Sequence, residues 1–307
     1  MVDITFKNHS LRKAIAQSIV SVSSEETIRL INENKIPKGN IFEMSKAAGL
    51  FGIKRTSDLI PDCHPLPVEF SSIHGEIEGL QIKITVEVHT IYKTGVEVEA
   101  MTGASIAALT MYDMLKPVDK GVVIEKTCLI EKKGGKSDRQ RDMKEGLRAG
   151  VVVCSDTIAA GKKQDKAGKA IISHLEKNKV QVSDYLISPD DEKQIREQVL
   201  RMKEAGYNLI LFTGGTGLSK RDVTPDVIEP MLERPIPGIM EMVRSYGQQR
   251  SPYSFLSRGV SGMIGNSLVL TLPGSTKGAD ESMSAIMPHI LHLFMVIDGG
   301  GHSGGYE

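Results

Sequence analysis

Residues 208–226 read NLILFTGGTGLSKRDVTPD. The stretch opens on an apolar run, Leu209-Ile210-Leu211-Phe212, of the kind a strand buried on both faces requires. It stops at Thr213-Gly214-Gly215-Thr216-Gly217, where three glycines let backbone N–H groups approach a ligand that any Cβ would hold off. After a short polar loop, Asp222 and Thr224-Pro225-Asp226 supply helix-start chemistry, with Pro225 suited to a first helical position. Strand, glycine turn and helix start together build an anion site at the C-terminal edge of a parallel sheet. The spacing is neither a P-loop, since no Gly-Lys-Ser/Thr follows the spacer, nor a dinucleotide fingerprint. Any strand-to-helix turn can use glycine. Three glycines with two threonines and a following Arg221-Asp222 pair favour a ligand site.

The surrounding sequence repeats the same alternation. Strands are predicted at 150–154, 180–187 and 267–272, with helices at 166–178, 191–205 and 279–295. Repeated βα units with continuous apolar strands predict a parallel sheet covered on both faces, an α/β three-layer domain. Ser155-Asp156, Gly214–Gly217 and Gly274-Ser275-Thr276-Lys277 then reach one sheet edge. Loops converging there can cradle phosphates while fixed carboxylates hold a divalent cation. Asp190 and Asp222 follow successive strands and are candidates for a metal or a base, although each alone could equally cap a helix. Together with the glycine loop they point to metal-assisted phosphoryl or nucleotidyl chemistry.

CSDTIAAGKKQDKAG (154–168), TGGTGLSKRDVTPD (213–226) and LPGSTKG (272–278) resemble the motifs of the MogA/MoaB family, the molybdopterin adenylyltransferases. The resemblance covers residues 149–298 and implies a trimer that uses Mg²⁺ and ATP to form adenylylated molybdopterin. Matched by motif, Asp190 and Asp222 are the implied catalytic carboxylates and Mg²⁺ holders. Gly214, Gly215, Thr216 and Gly217 match the nucleotide/pterin loop, and Ser155, Asp156 and Ser275 match pterin contacts. Thr276 stands where that family usually has proline. Some members of the family bind without adenylylating, so a pterin-binding or scaffold module is the alternative for this half.

The first half reads differently. Helices are expected at 11–22, where Leu11, Ala14, Ile15, Ser18 and Ile19 share one helical face, and at 24–34, 44–52 and 97–115. Lys38-Gly39-Asn40 reads as a turn, and residues 59–65 as an extended, proline-bracketed segment. Residues 82–88 and 122–132 alternate apolar with polar, as half-buried strands do. Strands with one wet face mixed with helices predict an antiparallel α+β layer. Lys54-Arg55, His64, Glu97, Glu99, Asp113 and Lys116 make a dense mixture of acids and bases that could serve proton transfer while holding a polyphosphate. Asp113 and Lys116 could equally be a surface ion pair, His64 a structural histidine, and Glu97 and Glu99 favourable charges at a helix N-terminus.

KRTSDLIPDCHPL (54–66), KTGVEVEAMTGASIAALTMYDMLKPV (93–118) and the GGKS after it (134–137) resemble the MoaC family, the cyclic pyranopterin monophosphate synthases, over residues 1–137. The resemblance implies a ferredoxin-like α+β fold assembled as a hexamer with sites shared between protomers. It implies conversion of 3′,8-cyclo-7,8-dihydro-GTP into cyclic pyranopterin monophosphate and pyrophosphate, with no metal or redox cofactor. Asp113 and Lys116 are the implied acid/base pair and Lys38 a catalytic lysine. Arg12, Lys54, Asp62-Cys63-His64, Glu97-Val98-Glu99, Lys132 and Lys136 are the implied substrate-binding positions. Of these, His64, Glu97 and Glu99 grip the pterin end and the basic groups the triphosphate. Asn40 replaces a usual aspartate, and Asp62, expected to point outward, replaces a usual leucine.

Between the halves, residues 131–150 are dense in charge and glycine, which marks a connector; the linker proper is placed at 138–148 and a flexible tail at 299–307. The whole chain of 307 residues is 40% hydrophobic and 25% charged, ordinary soluble-globular composition. A formal net charge of zero argues against nucleic acid or anionic membranes as partners, so pterin and nucleotide ligands must be held locally. No run approaches the ~20 apolar residues of a membrane span, and three cysteines without metal-ligand spacing fit a reducing cytosol. A hexameric first half and a trimeric second half are compatible as one hexamer carrying two trimers. The product of the first step is not the substrate of the second, since sulfur must be added between them, so channelling is not expected.

Overall fold

In the computed structural model, which describes residues 1–135, 144–297 and 299, the first element is not the predicted helix but a strand, β1 (Ser10–Ser21). Ala14, Ala16, Ser18 and Val20 are buried while their odd-numbered neighbours are half-exposed, a period of two. Ala14 and Ile15, which the helical reading placed on one face, therefore lie on opposite faces. The buried set is small, and that makes room for a helix packed over the strand. Two short helices follow, α1 (Glu25–Asn32) and α2 (Ile41–Lys54). Asn40 caps α2, accepting from the N–H groups of Phe42 and Glu43 at 3.0 and 3.1 Å. The replacement of aspartate therefore preserves the capping chemistry, and the Asn40 amide also donates to Asn34.

A one-turn helix, α3 (Thr56–Leu59), leads through the extended segment to β2 (Phe70–Glu78), which the sequence reading passed over, and β3 (Gln81–Tyr92). Helix α4 runs Glu97–Leu115 as predicted, and β4 (Val123–Lys133) closes an antiparallel sheet of order β2-β3-β1-β4. This is the ferredoxin-like arrangement. Ala100, Ala104, Ala107, Ala108 and Met111 of α4 are buried in its core. A Cβ added at Gly103 would lie 2.6 Å from the Ile53 side chain, so glycine sets how closely α2 and α4 approach.

The chain divides into two compact units, Met1–Arg139 and Gln140–Glu307. In the second, Leu147 is buried and β5 (Arg148–Cys154) is followed by α5 (Asp156–Ala159), α6 (Ala167–Lys177), β6 (Gln181–Ser188), α7 (Glu192–Glu204) and β7 (Leu209–Thr213). Then come α8 (Thr224–Ile228), β8 (Arg234–Pro235), α9 (Pro237–Gln248), β9 (Ser261–Ile264), β10 (Ser267–Leu272) and α10 (Thr276–Ile286). The sheet order is β6-β5-β7-β10-β9-β8, parallel across the first four strands and antiparallel at the β9 and β8 edge. Alternate residues of the central strands feed two cores. Leu209, Leu211 and Leu268 face one, whereas Ile210, Phe212 and Val269 face the other.

The single helix predicted over 279–295 is broken. α10 ends at Ile286, Pro288 follows without an N–H to continue it, and a 3-10 turn (His289–His292) leads into α11 (Leu293–Ile297). No helix among the described residues is long and apolar enough to cross a membrane. Lys136, much of the proposed linker and all of the proposed tail except Gly299 lie outside the described residues.

Candidate active sites

The last turn of α4 brings three of the sequence-identified residues of the first unit together. Lys38, on the loop before α2, places Nζ 2.6 Å from Asp113 Oδ2, and Lys116 Nζ lies 2.8 Å from Oδ1. Each carboxylate oxygen thus has its own ammonium. Lys38 also donates to the Asp113 carbonyl at 3.0 Å. Hydrogen bonds from Lys116 and then Lys38 pull the Asp113 carboxyl down to about 2. All three side chains remain accessible, as groups that meet a substrate must be.

The first turn of α4 gathers a second cluster. Glu99 is buried, and its Oε1 accepts from the Cys63 thiol at 3.5 Å. Its Oε2 is buried with no hydrogen-bond partner among the described residues. Burial raises the Glu99 carboxyl. Burial and then the Glu99 charge push the Cys63 thiol up to about 11. Glu97 Oε1 meets Lys132 of β4 at 3.3 Å. His64 Nε2 donates to the Val2 carbonyl at 2.8 Å, and the outward-pointing, highly exposed Asp62 meets the Met1 amine at 2.7 Å. Arg12 donates to the Tyr92 carbonyl at 3.5 Å; Lys54 and Val98 are exposed. An orphaned buried carboxylate oxygen beside a thiol is poor stabilising chemistry and suits a ligand that brings a donor.

The two clusters do not meet along the helix. Glu99 and Asp113 are fourteen residues apart on α4, or ~21 Å at helical rise.

In the second unit the strand ends converge as expected. The Asp156 N–H donates to Asp190 Oδ2, and the Asp190 N–H donates to Asp156 Oδ1, each at 3.2 Å. This reciprocal pair ties the loop after β5 to the loop after β6. Arg221 Nη1 reaches Asp156 Oδ2 at 3.2 Å, and Asp222 Oδ2 accepts from the Ser219 N–H at 2.8 Å. Gly214 and Gly215 both have positive φ, +100° and +61°. A Cβ at Gly214 would overlap the Cys154 carbonyl, and one at Gly215 would overlap Thr224 Oγ1 and lie 3.0 Å from Asp190 Oδ1. Thr216 is buried and Gly217 sits against Asp222. Ser155 and Ser275 each cap the helix that follows. Thr276 is consequently the first helical residue, the position proline favours, so its substitution leaves the cap in place.

Asp190 Oδ1 is buried without a hydrogen-bond partner among the described residues. Burial, and then the charges of Asp156 and Asp222, raise this carboxyl above its usual range. Converging carboxylates with an unpartnered oxygen fit a divalent cation of the Mg²⁺ type, which takes one or two carboxylates and completes its shell with phosphate oxygens and water. No group of three or more His, Cys, Asp and Glu assembles a closed metal cage among the described residues.

Arg258 was absent from the sequence-identified set. It lies just before β9, and its Nε donates to the Gly217 carbonyl at 2.7 Å. Its Nη1 meets both Asp226 oxygens at 2.8 and 3.0 Å, and its Nη2 donates to the Asp222 carbonyl. No local motif announces a residue that acts on carbonyl groups 36 to 41 positions away.

Residues 1–135 match the MoaC family, and residues 150–292 match the family described as "Probable molybdopterin binding domain". The chain is similar to the molybdenum cofactor biosynthesis bifunctional protein of Chlorobaculum tepidum, 38% identical over 303 residues covering 99% of this chain and 96% of that protein. It is also similar to the cyclic pyranopterin monophosphate synthase of Listeria welshimeri, 49% identical over 138 residues, 45% of this chain and 86% of that protein. Among solved structures, the molybdopterin biosynthesis enzyme MoaB of Thermus thermophilus is 39% identical with a TM-score of 0.47, covering 50% of this chain and 97% of that one.

Proposed function

Because the chain belongs to the molybdenum cofactor biosynthesis bifunctional proteins, we propose that it performs two steps of that pathway, one in its MoaC unit and one in its molybdopterin-binding unit. The first unit converts 3′,8-cyclo-7,8-dihydro-GTP into cyclic pyranopterin monophosphate and pyrophosphate. Asp113 rests ionised between Lys38 and Lys116, and the three pass protons to and from the forming pterin, Asp113 as acceptor and the two ammonium groups as donors. His64, Glu97 and Glu99, with Cys63 behind Glu99, grip the pterin end. Arg12, Lys54 and Lys132 hold the triphosphate.

One observation supports this reading above the others. The proton-transfer and pterin-gripping groups occupy opposite ends of α4, ~21 Å apart, so a working site needs the last turn of one protomer beside the first turn of another. This separation supports a homo-oligomer, and the assembly proposed is a hexamer whose second units form trimers. Asp113→Asn and Glu99→Gln should each abolish synthase activity, and unfolding and co-refolding the two variants together should restore it. Random pairing regenerates an intact site in about one case in four. Activity lost in each variant and never recovered in the mixture would place both clusters in one protomer's site and defeat the reading.

The second unit transfers the adenylyl group of ATP to the phosphate of molybdopterin, releasing pyrophosphate. Asp190 and Asp222 would hold Mg²⁺, which would neutralise charge developing on the transferred adenylyl group. Gly214–Gly217 present their backbone to the nucleotide and pterin, and Ser155, Asp156 and Ser275 orient the pterin. Incubation with molybdopterin, Mg²⁺ and ATP should give adenylylated molybdopterin, and Asp222→Ala should not. Pterin binding without product in the parent protein would leave an active synthase fused to a binding module.

A further inference from the structure

We infer that Arg258 is a positioning residue that holds the Asp222 loop in its ligand-binding shape; its bearing on catalysis rests on the adenylylation reading above. The loop 218–222 leaves the glycine turn at Gly217 and returns at Asp222, and a loop this short could hinge at both ends. One guanidinium closes both. Nε takes the Gly217 carbonyl at 2.7 Å, and Nη2 takes the Asp222 carbonyl. Nη1 takes the Asp226 carboxylate in the first turn of α8, at 2.8 and 3.0 Å. The Arg258 backbone N–H adds a bond to the Thr216 carbonyl at 3.1 Å.

Arg258 is itself braced. Arg244 of α9 donates to the carbonyls of Ser257 and Gly259, on either side of it, at 3.5 and 3.3 Å. A chain of two arginines therefore runs from the second unit's core helix to the loop that carries Asp222. The planar fork matters, because a lysine ammonium on a flexible stem cannot reach three acceptors in fixed directions. Arg258 touches carbonyl groups and Asp226, not the carboxylate of Asp222. Its loss would act on Asp222 through the shape of the loop rather than through a lost hydrogen bond to that carboxylate.

The loop supplies its own reporter, since Lys220 and Arg221 are exposed trypsin sites within it. On the full-length protein, Arg258→Ala should speed cleavage after Lys220 and Arg221 at least tenfold, and Arg258→Lys should do so to a smaller degree. Cleavage after Lys162 and Lys163, exposed in the loop between α5 and α6, serves as the internal control and should not change. In the adenylylation assay both substitutions should lower kcat at least tenfold with little change in the KM for ATP. Cleavage at 220–221 matching the parent in both variants would overturn the inference, as would acceleration of all sites together, which signals general unfolding. A parent protein that does not adenylylate at all would end the catalytic reading, while the cleavage rates still decide whether Arg258 holds the loop.

Discussion

Gly215 and Gly161 offer a matched pair for measuring how tightly the second site is built. Both hold positive φ, +61° and +69°, in the same unit. Replacement by alanine forces a Cβ into the left-handed region in each case, at a cost of about 1 kcal/mol. There the likeness ends. A Cβ at Gly161 meets nothing within 4 Å, whereas one at Gly215 overlaps Thr224 Oγ1 and comes within 3.0 Å of Asp190 Oδ1. Thr224 is buried, so the neighbour has little room to yield, and overpacking of this kind adds about 1–3 kcal/mol. Gly161→Ala should therefore cost about 1 kcal/mol and Gly215→Ala about 2–4 kcal/mol.

The chain has no tryptophan and two units, so neither fluorescence nor a single unfolding transition is the right readout. Native-state hydrogen exchange of peptides covering β7 reports the second unit alone. Exchange should quicken about fivefold in Gly161→Ala and about thirtyfold or more in Gly215→Ala. Adding Thr224→Ala to Gly215→Ala removes the overlapping hydroxyl and leaves Asp190 Oδ1 as the closest neighbour, so part of the difference should return. Equal exchange in the two single variants would refute the reasoning, because it would mean the space beneath the glycine turn is not closed.

Two further outcomes test the first unit. The Asp113 carboxyl, held at about 2 by Lys116 and Lys38, titrates below its unfolded value of ~3.9. The triad's stabilising effect is therefore complete above about pH 4 and is lost as the pH falls toward 2. Carboxyl-carbon NMR should find this low midpoint, and Lys38→Met should raise it; an ordinary midpoint in the parent would mean the triad does not persist in solution. Asn40→Ala should destabilise α2 by about 1 kcal/mol through loss of its cap. Asn40→Asp should cost only a few tenths of that, and native-state hydrogen exchange of peptides covering α2 that ranks the two the other way would assign Asn40 another role.

Much of the second unit was legible because its signals are local and redundant. β7 and β10 are apolar on both faces, and the glycines and Pro225 punctuate the turn and helix that follow. The first unit was harder to read. In β1, Ala14 with Ile15 and Ser18 with Ile19 satisfy a helical spacing, while the true period of two hides in small residues whose burial comes from α4 above them. β2 was passed over for a related reason: its alternation pairs Ile73, Gly75 and Ile77 with charged and polar neighbours, and half-exposure on an edge blurs the pattern. Pro288 stands inside the span predicted as one last helix, and α10 ends just before it. Motifs located Asp113, Lys116 and Lys38, but only the fold shows that Lys38 and Lys116 divide the two oxygens of one carboxylate. Arg258 was invisible because its partners are backbone carbonyls, which leave no trace in residue type.

The strand order of the second unit also fixes when its site can come into being. β7 is flanked by β5, whose paired residues come 60 positions earlier, and by β10, whose paired residues come 59 positions later. The Gly214 N–H is met by the Leu272 carbonyl, and Gly274 rests against Gly214. During synthesis the glycine loop therefore lacks one of its two flanking strands until residues 267–274 have left the ribosome. The first unit, whose strands all lie before residue 134, needs nothing from that later sequence to close its own sheet. Translation that stops short of β10 would leave a protein competent to fold its first unit and unable to form the second unit's turn.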